Sequence, residues 1–260
     1  MQSYLQQITD GQRVLTLDDS WLQGRATFGG LVAALGFQAM RVLVSADKPA
    51  RAVQIAFVGP VAPGEVELKP LILREGKSVV QAQCHVMQGD AVMAVVLASF
   101  GAARDSSLQV TAEPMPAMPS LAEAKELPYI AGVVPTFVQH FQMSWAVGGF
   151  PFSANPSREM GGWVKFRQAP AQLDEAHVLA MVDAWPPSVL PMLKTPAAAS
   201  SLTWAVEFVQ PLAPIAGEQP CAYLAQSEQA SEGYANAAAK LWSADGRLLA
   251  LSRQSITVFA

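Results

Sequence analysis

The chain has 260 residues, a length that fits one large domain or two domains of about 130 residues each. Hydrophobic residues make up 51% of it and charged residues 15%, against about 25% in an average soluble domain, which excludes a disordered or collagen-like chain. The net charge of −4 and the lack of a Lys and Arg cluster argue against a nucleic-acid-binding protein, which needs concentrated positive charge.

Three features indicate the compartment. The longest apolar run, 91–98, is far shorter than the ~20 residues of a membrane-spanning helix and predicts a buried strand instead. Residues 1–7 contain neither the basic start nor the apolar segment of a secretory signal. The two cysteines, Cys84 and Cys221, are too few for a disulfide framework. We therefore predict no membrane span and a cytoplasmic location.

The first predicted elements are a helix and several long antiparallel strands. The helix follows Gly29 and Gly30, covers residues 31–43 and is apolar on every side, so we expect it to be buried. Residues 74–78, Arg-Glu-Gly-Lys-Ser, form a strand-like stretch with a glycine inside it. The turn signal at 88–90 precedes a final apolar strand.

The middle of the chain predicts a surface linker, because residues 102–127 combine three prolines with small and polar residues. Beyond it, 137–145 and 161–167 show alternating patterns that predict two neighbouring strands. A second helix at 176–183 begins with acidic residues, which favour the positive end of the helix dipole, and the pair Pro186-Pro187 should end it.

The chain also contains an internal repeat. Residues 57–63 read Phe-Val-Gly-Pro-Val-Ala-Pro, and residues 208–214 read Phe-Val-Gln-Pro-Leu-Ala-Pro. Each copy follows a predicted helix. After each copy come, in the same order, a strand-like stretch with a glycine, a turn signal and an apolar strand. In the second copy the glycine stretch is 231–234 and the turn is 244–246. We interpret the chain as two halves of one α+β fold. The predicted divisions are 1–103 for the first half, 104–128 for the linker and 129–260 for the second half.

Several common functional motifs are missing from the sequence. Gly76-Lys77-Ser78 is not a phosphate-binding loop, because Leu71 stands where that loop needs a glycine. No Gly-x-Ser-x-Gly motif and no glycine-rich dinucleotide fingerprint occur. The three histidines are scattered and have no metal-ligand spacing with the cysteines. We expect no metal and no cofactor.

The duplicated order of a buried helix and long strands, with Phe28-Gly29-Gly30 before the first helix and 74–78 in a strand, resembles the acyl-CoA thioesterase II family of double-hotdog proteins. The similarity extends from about Trp21 to Val258. It implies an α+β double hotdog, in which two long antiparallel sheets lie side by side and each wraps around a buried helix. It also implies an enzyme that hydrolyses acyl-CoA to a free carboxylic acid and CoA, and a homodimer or larger homo-oligomer.

The resemblance further implies a catalytic set of an Asp on the second helix, a hydroxyl before the next strand and a Gln on the last strand. The matching positions are Asp183, Ser201 and Gln254. Ser stands here where thioesterase II carries Thr. Ser200 and Thr203 lie close in sequence, so the hydroxyl is open among these three residues.

The residues themselves favour the same positions. Asp183 lies in an otherwise apolar helix segment, where a carboxylate is costly unless it is hydrogen-bonded or used, and Gln254 interrupts an apolar strand. Aligning the two halves places residues without polar side chains opposite the set: Gly36, Ala50 and Ala98. We therefore expect one active site per chain, in the second half.

The expected mechanism has no covalent intermediate. Asp183 would accept a proton or hydrogen bond from a water molecule that Ser201 and Gln254 hold in line with the thioester carbonyl. Backbone N–H groups near a helix start would stabilise the oxyanion, and Gly29 and Gly30 are the candidates. Each residue also has a structural interpretation: Asp183 as a turn residue, Ser201 as part of a loop, and the glycines as close-packing positions.

Two other functions remain open. One is a non-catalytic hotdog protein that binds acyl-CoA or an acyl chain, and the other is a hotdog dehydratase that pairs an Asp with His177. Basic residues near the first helix could contact CoA phosphates or form a solvated face: Arg25, Arg41, Lys48 and Arg51. Large aromatic residues could line an acyl tunnel or form the core: Phe137, Phe141, Trp145, Trp163 and Trp185.

Overall fold

The computed structural model describes residues 1–212 and 214–260, so Ala213 in the second copy of the repeat lies outside the described residues. The helices are α1 (Gln2–Thr9), α2 (Gly29–Arg41) and α3 (Glu175–Asp183). The strands of the first half are β1 (Val14–Leu17), β2 (Leu22–Gln23), β3 (Ala26–Thr27), β4 (Ala50–Phe57), β5 (Gly64–Glu75), β6 (Val79–Gln88) and β7 (Ala91–Gly101). The later strands are β8 (Lys125–Glu126), β9 (Phe141–Val147), β10 (Glu159–Phe166), β11 (Gln172–Leu173), β12 (Ala199–Phe208), β13 (Ile215–Ala216), β14 (Cys221–Ser231), β15 (Tyr234–Trp242) and β16 (Leu248–Val258). Short 3₁₀ helices lie at Asp19–Trp21, Thr136–His140 and Leu190–Met192.

One long antiparallel sheet dominates the structure. Within the described residues it has 12 strands in the order β1-β5-β6-β7-β4-β12-β16-β15-β14-β10-β9-β8. The two halves meet where β4 pairs with β12, with Ala52 opposite Glu207 and Ala56 opposite Thr203. The prediction of two antiparallel sheets side by side is therefore confirmed, and the seam between them is itself a hydrogen-bonded strand pair.

Each half wraps its sheet around one apolar helix. Helix α2 packs on β4, β5, β6 and β7, whereas α3 packs on β10, β15 and β16, and the two helices contact each other. Leu31, Leu35 and Phe37 of α2 are at most 1% exposed, as are Val178 and Met181 of α3. These observations confirm the predicted α+β double hotdog with a buried helix in each half. None of the described helices is long and apolar enough to cross a membrane.

The two glycine stretches predicted inside strands are hairpin turns, so that prediction is wrong. β5 ends at Glu75 and β6 begins at Val79, and the equivalent hairpin joins Ser231 to Tyr234. Gly233 has φ +78°, a left-handed conformation that glycine adopts without steric cost and that ends the strand. The predicted turns at 88–90 and 244–246 do connect strands as expected.

The strand predicted at 137–145 is also partly wrong. Its first residues form the 3₁₀ helix Thr136–His140, which follows Pro135, and the strand begins only at Phe141. Phe137 on this 3₁₀ helix stacks on Phe28 with ring centroids 4.2 Å apart. Packing of the aromatic side chains therefore determines the local conformation more than their alternating pattern does.

The connecting segment packs against the sheet as well as linking the halves. Residues 102–124 form neither helix nor strand. Met115 packs against a cluster on the outer face of the second half that includes Trp163 and Trp242, and the indole N–H of Trp163 donates to the carbonyl of Pro119 at 2.9 Å. Trp163 therefore lies on the face of the sheet away from the helices.

Candidate active site

The end of helix α3 positions Asp183. The helix begins with a capping box, in which the backbone N–H of His177 donates to the Asp174 carboxylate at 3.0 Å. It ends at Asp183, just before Pro186 and Pro187, which cannot continue a helix because proline lacks an N–H. The carboxylate consequently lies at the C-terminal end of α3 and faces the N-terminus of the neighbouring helix α2.

Three groups surround the Asp183 carboxylate. Gln254 Nε2 donates to its Oδ1 at 2.7 Å, and the backbone N–H of Gly30 favours the charged form of the carboxyl and so lowers its pKa. A Cβ atom at Gly29 would lie 2.9 Å from Oδ2 of Asp183 and 3.2 Å from the Phe57 ring. The carboxylate can therefore approach the start of α2 only because glycine stands at this position.

The surroundings of Asp183 change its proton affinity. Burial raises the pKa of this carboxyl from 3.8 to about 7, and the hydrogen bonds from Gln254 and Gly30 offset part of that increase because they favour the charged form. The residue keeps a small solvent-exposed area. A carboxyl that titrates near neutral pH is suited to accept a proton from water.

A β-bulge decides which hydroxyl of β12 faces the same way as Gln254. The pairing between β12 and β16 shifts between Ser201 and Thr203, with Ser201 opposite Ile256. Ile256 is 1% exposed and lies two residues from Gln254 on β16, so Ser201 shares the helix-facing side of the sheet with both. Ser200 and Thr203 belong to the opposite, exposed face.

The same bulge occurs in the first half and aligns the halves residue by residue. In β4 the pairing with β7 shifts between Ala50 and Ala52, so Ala50 is equivalent to Ser201. Val53 then pairs with Ala98 as Trp204 pairs with Gln254. The strand registers thus agree with the sequence alignment of the two halves for Ala50 with Ser201 and for Ala98 with Gln254. The equivalence of Gly36 and Asp183 stays a prediction.

The aromatic neighbours of Asp183 include one that the sequence did not single out. Burial raises the pKa of Tyr223, and the charge of Asp183 adds to this increase. The Tyr223 ring is stacked on Trp185 at 5.2 Å between centroids. Tyr223 lies on β14, and no local pattern in the sequence indicates that this strand borders the site.

The contacts of Arg41 and Arg51 lie away from this carboxylate. The Arg41 guanidinium donates to the carbonyls of Ser45 and Lys48 at 2.7 and 2.6 Å, and Arg51 Nε donates to the carbonyl of Gly101 at 3.0 Å. These contacts lie toward the C-terminal end of α2, whereas Asp183 faces its N-terminus. Arg25 is exposed in the turn between β2 and β3, which precedes α2 in the chain.

His177 caps its own helix rather than pairing with the catalytic candidate. Its Nδ1 lies 2.7 Å from Oδ1 of Asp174, and its Nε2 lies 2.8 Å from Oε1 of Gln2. His177 is 3% exposed. The pairing of Asp183 with His177 that a dehydratase would require is therefore not formed.

Two family profiles cover most of the chain. The acyl-CoA thioesterase N-terminal domain matches residues 17–101, and the acyl-CoA thioesterase C-terminal domain matches residues 109–258. Together with the double-hotdog fold, these matches define the class of protein: a thioester hydrolase. The chain belongs to the acyl-CoA thioesterase family. No curated protein sequence matches it.

Solved structures with the same fold cover nearly the whole chain. A hot dog fold protein of unknown function from Alicyclobacillus acidocaldarius is 22% identical, with a TM-score of 0.83 and 98% of each chain covered. The tesB protein of Mycobacterium avium subsp. paratuberculosis is 15% identical, with a TM-score of 0.78 and 99% of each chain covered. An acyl-CoA thioesterase II, TesB2, from Mycobacterium marinum is 16% identical, with a TM-score of 0.77 and 98% of each chain covered. At these identities the similarity establishes the fold.

Proposed function

We propose that this enzyme hydrolyses acyl-CoA to a carboxylic acid and CoA by means of a water molecule that Asp183 activates. The observation that carries the proposal is the carboxyl of Asp183, which has a pKa of about 7 and is held at 2.7 Å by Gln254 next to the glycine start of α2. At neutral pH a large fraction of such a carboxyl is ionised, and it is more basic than an ordinary Asp.

The reaction proceeds through one tetrahedral intermediate. Asp183 takes a proton from the water molecule while the water oxygen forms a bond to the thioester carbonyl carbon. The carbon–sulfur bond then breaks, the CoA sulfur leaves as a thiolate or takes the proton back, and the acid is released. Ser201 and Gln254 hold the water in line with the carbonyl carbon, since both face the helix side of the sheet.

The start of α2 supplies the donors for the oxyanion. The first N–H groups of a helix have no partner within the helix and point toward its N-terminus. We assign the oxyanion to the N–H groups of Gly29 and Gly30, the first two residues of α2.

The organisation of the chain around this site is part of the proposal. The first half, 1–103, contributes α2 and its glycines, the linker is 104–128, and the second half, 129–260, carries Asp183, Ser201 and Gln254. Ala50 and Ala98 at the equivalent positions of the first half support one site per chain. The substrate is acyl-CoA, which the family implies. A homodimer or larger homo-oligomer and a cytoplasmic location stay predictions.

A thiol-release assay over a series of acyl-CoA chain lengths tests the proposal. Asp183→Asn should lower kcat by about 100-fold or more, because it removes the base while keeping the shape of the side chain. Asp174→Asn is the matched control, since it changes the carboxylate at the other end of the same helix and Asn caps a helix as well as Asp.

Equal activity of Asp183→Asn and the wild type would overturn the proposed role. Tight binding of acyl-CoA by the wild type, without turnover at any chain length, would instead favour a non-catalytic binding protein.

A further inference from the structure

The ring of Phe57, at the end of β4, borders the Asp183 carboxylate at the start of α2. A Cβ atom at Gly29 would lie 2.9 Å from Oδ2 of Asp183 and 3.2 Å from Cζ of Phe57. Both distances are measured from the same point, so the edge of the ring and the carboxylate oxygen are close neighbours. Phe57 therefore brings an apolar group from the first half of the chain to the reacting centre.

The strand register places Phe57 beside the hydroxyl of the site as well. On the seam between the halves, Ala56 of β4 is opposite Thr203 of β12. Phe57 is the next residue of β4, so it lies at the level of the bulge between Ser201 and Thr203. Like Ile55 two residues before it, Phe57 is on the helix-facing side of the sheet. The ring and the Ser201 side chain therefore share one side of the seam.

The internal repeat supplies an equivalent phenylalanine with a packing role. Phe57 and Phe208 are the last residues of β4 and β12 and the first residues of the two repeat copies. Phe208 is 5% exposed, and its ring centroid lies 6.1 Å from that of Phe37. Phe57 is only partly buried. A partly exposed ring gains less from burial than a core ring, and beside a carboxylate it disfavours the charge, so packing alone does not explain Phe57.

The backbone that follows Phe57 is anchored by Met93. The N–H groups of Val58 and Gly59 both donate to the carbonyl of Met93 at 2.9 Å. A Cβ atom at Gly59 would lie 3.0 Å from Cε of Met93, so a glycine suits this close approach. These contacts fix the end of β4 and hold the Phe57 ring beside the site.

We propose that Phe57 is a positioning residue whose ring keeps bulk water away from the Asp183 carboxylate and from the N–H groups at the start of α2. The proposal rests on the thioesterase function proposed above and adds a residue of the first half to its site. Exclusion of bulk water strengthens the hydrogen bonds that the oxyanion receives and leaves the attacking water as the partner of the carboxylate.

The proton affinity of Asp183 reports on this shielding. Burial is the largest cause of its raised pKa, and hydrogen bonds from Gln254 and Gly30 act against it. The titratable neighbour is Tyr223 of β14, whose own pKa the charge of Asp183 raises. Shortening the Phe57 side chain alters none of these three groups, so a change in the titration of Asp183 would come from its exposure to water.

The pH profile of kcat/KM in Phe57→Ala tests the proposal. Admission of water should lower the midpoint by about one pH unit from the wild-type value of about 7, because solvation favours the charged carboxylate. The kcat at high pH should fall by about threefold or more, since a less basic carboxylate is a weaker general base. Phe57→Leu keeps part of the apolar cover, should shift the midpoint less in the same direction, and replaces the Ala variant if that variant folds poorly.

Phe208→Ala is the matched control, because it removes the same ring from the equivalent position of the other half. It should lower the thermal stability more than Phe57→Ala does, since its ring is the more buried one, and it should leave the midpoint unchanged. An unchanged midpoint in both Phe57 variants, or an equal shift in Phe208→Ala, would overturn the proposal.

A direct titration separates this proposal from the thioesterase function. Carbon-13 NMR of protein labelled at the aspartate carboxyl carbons measures the midpoint of Asp183 without any substrate, and Asp183→Asn identifies its resonance. A lower midpoint in Phe57→Ala than in the wild type supports the role of Phe57 even if Asp183→Asn keeps full activity and the proposed mechanism fails. Equal midpoints in the two proteins overturn the role of Phe57, whatever their activity.

Discussion

At the scale of single residues, the site depends on the carboxyl of Asp183, whose charged form is disfavoured by burial. Asp183 was predictable from the sequence, because an acidic residue in an apolar helix segment requires an explanation. Its partner Gln254 lies 71 positions away in the chain, and only the sheet brings the two together. The raised pKa of Asp183 results from burial, which no local pattern reports.

The activity should follow the titration of Asp183. Because the base must be ionised, kcat/KM should rise with pH along a single titration with a midpoint near the pKa of about 7. A pH profile from about pH 5 to about pH 9 with a stable, non-titrating substrate measures this midpoint. A profile that is flat between about pH 5 and about pH 8 would contradict the role of this carboxyl.

The stability should respond to pH in the opposite direction. Between the ordinary Asp pKa of 3.8 and the folded value of about 7, the folded protein binds a proton that the unfolded chain has lost. The contribution of Asp183 to the free energy of unfolding therefore falls as pH rises through this window and is constant above it. Asp183→Asn lacks this dependence. In urea unfolding, the free energy of unfolding of the variant should therefore rise relative to that of the wild type between about pH 5 and about pH 8. A stability difference that does not change with pH would contradict the raised pKa.

The hydroxyl can be assigned by neighbouring substitutions. Ser201 faces the helix side with Gln254, whereas Ser200 lies on the exposed face. We expect Ser201→Ala to lower kcat by about tenfold or more, since it removes one of the groups that orient the water, and Ser200→Ala to leave kcat within about twofold. The opposite result, with only Ser200→Ala impaired, would place the hydroxyl on the exposed face of the sheet.

At the scale of elements, the start of α2 is as important to the site as the end of α3. The sequence predicted both helices to within about two residues, since a glycine pair, acidic residues and a proline pair mark their limits. It failed where packing overrides pattern, as in the 3₁₀ helix Thr136–His140, and it did not predict α1. It placed Gly29 and Gly30 near the chemistry because they stand at a helix start, whereas the contact of Gly29 with Asp183 indicates why glycine is needed.

Two glycines of α2 should behave differently when changed to alanine. A Cβ at Gly29 would meet Oδ2 of Asp183 at 2.9 Å, so Gly29→Ala should displace the carboxylate and lower kcat by about tenfold or more. A Cβ at Gly36 would meet Cγ2 of Val96 at 2.7 Å, so Gly36→Ala should lower the free energy of unfolding by about 1–3 kcal/mol. We expect the folded fraction of Gly36→Ala to keep its kcat. Equal losses of kcat per folded molecule in both variants would show that general packing, rather than the contact with Asp183, is responsible.

At the scale of the whole molecule, the site requires both halves. The internal repeat revealed the duplication from sequence alone, but the seam between β4 and β12 could not be read from it because the pairing joins distant strands. Gly29 and Gly30 of the first half lie against the side chain of Asp183 in the second half, and α2 packs on α3. The molecule therefore has one extended apolar core with contributions from both halves.

Separated halves should not fold independently. Residues 1–103 alone would expose the edge of β4 and the face of α2 that packs on α3, and residues 129–260 alone would expose the matching surfaces. Each fragment should be unfolded or self-associated in circular dichroism and sedimentation experiments. A monomeric fragment with a well-dispersed NMR spectrum would contradict this expectation. Sedimentation equilibrium of the full chain would also test the predicted homo-oligomer.

The most direct test of the central claim follows the oxygen atom of water. In a single turnover in ¹⁸O-labelled water, direct attack by a water molecule that Asp183 activates places the label in the carboxylic acid product. Mass spectrometry of the quenched enzyme should then find no label in the peptide that contains Asp183 and no acyl group on Ser201. Label in the Asp183 carboxyl, or an acyl group on Ser201, would show a covalent intermediate and contradict the account.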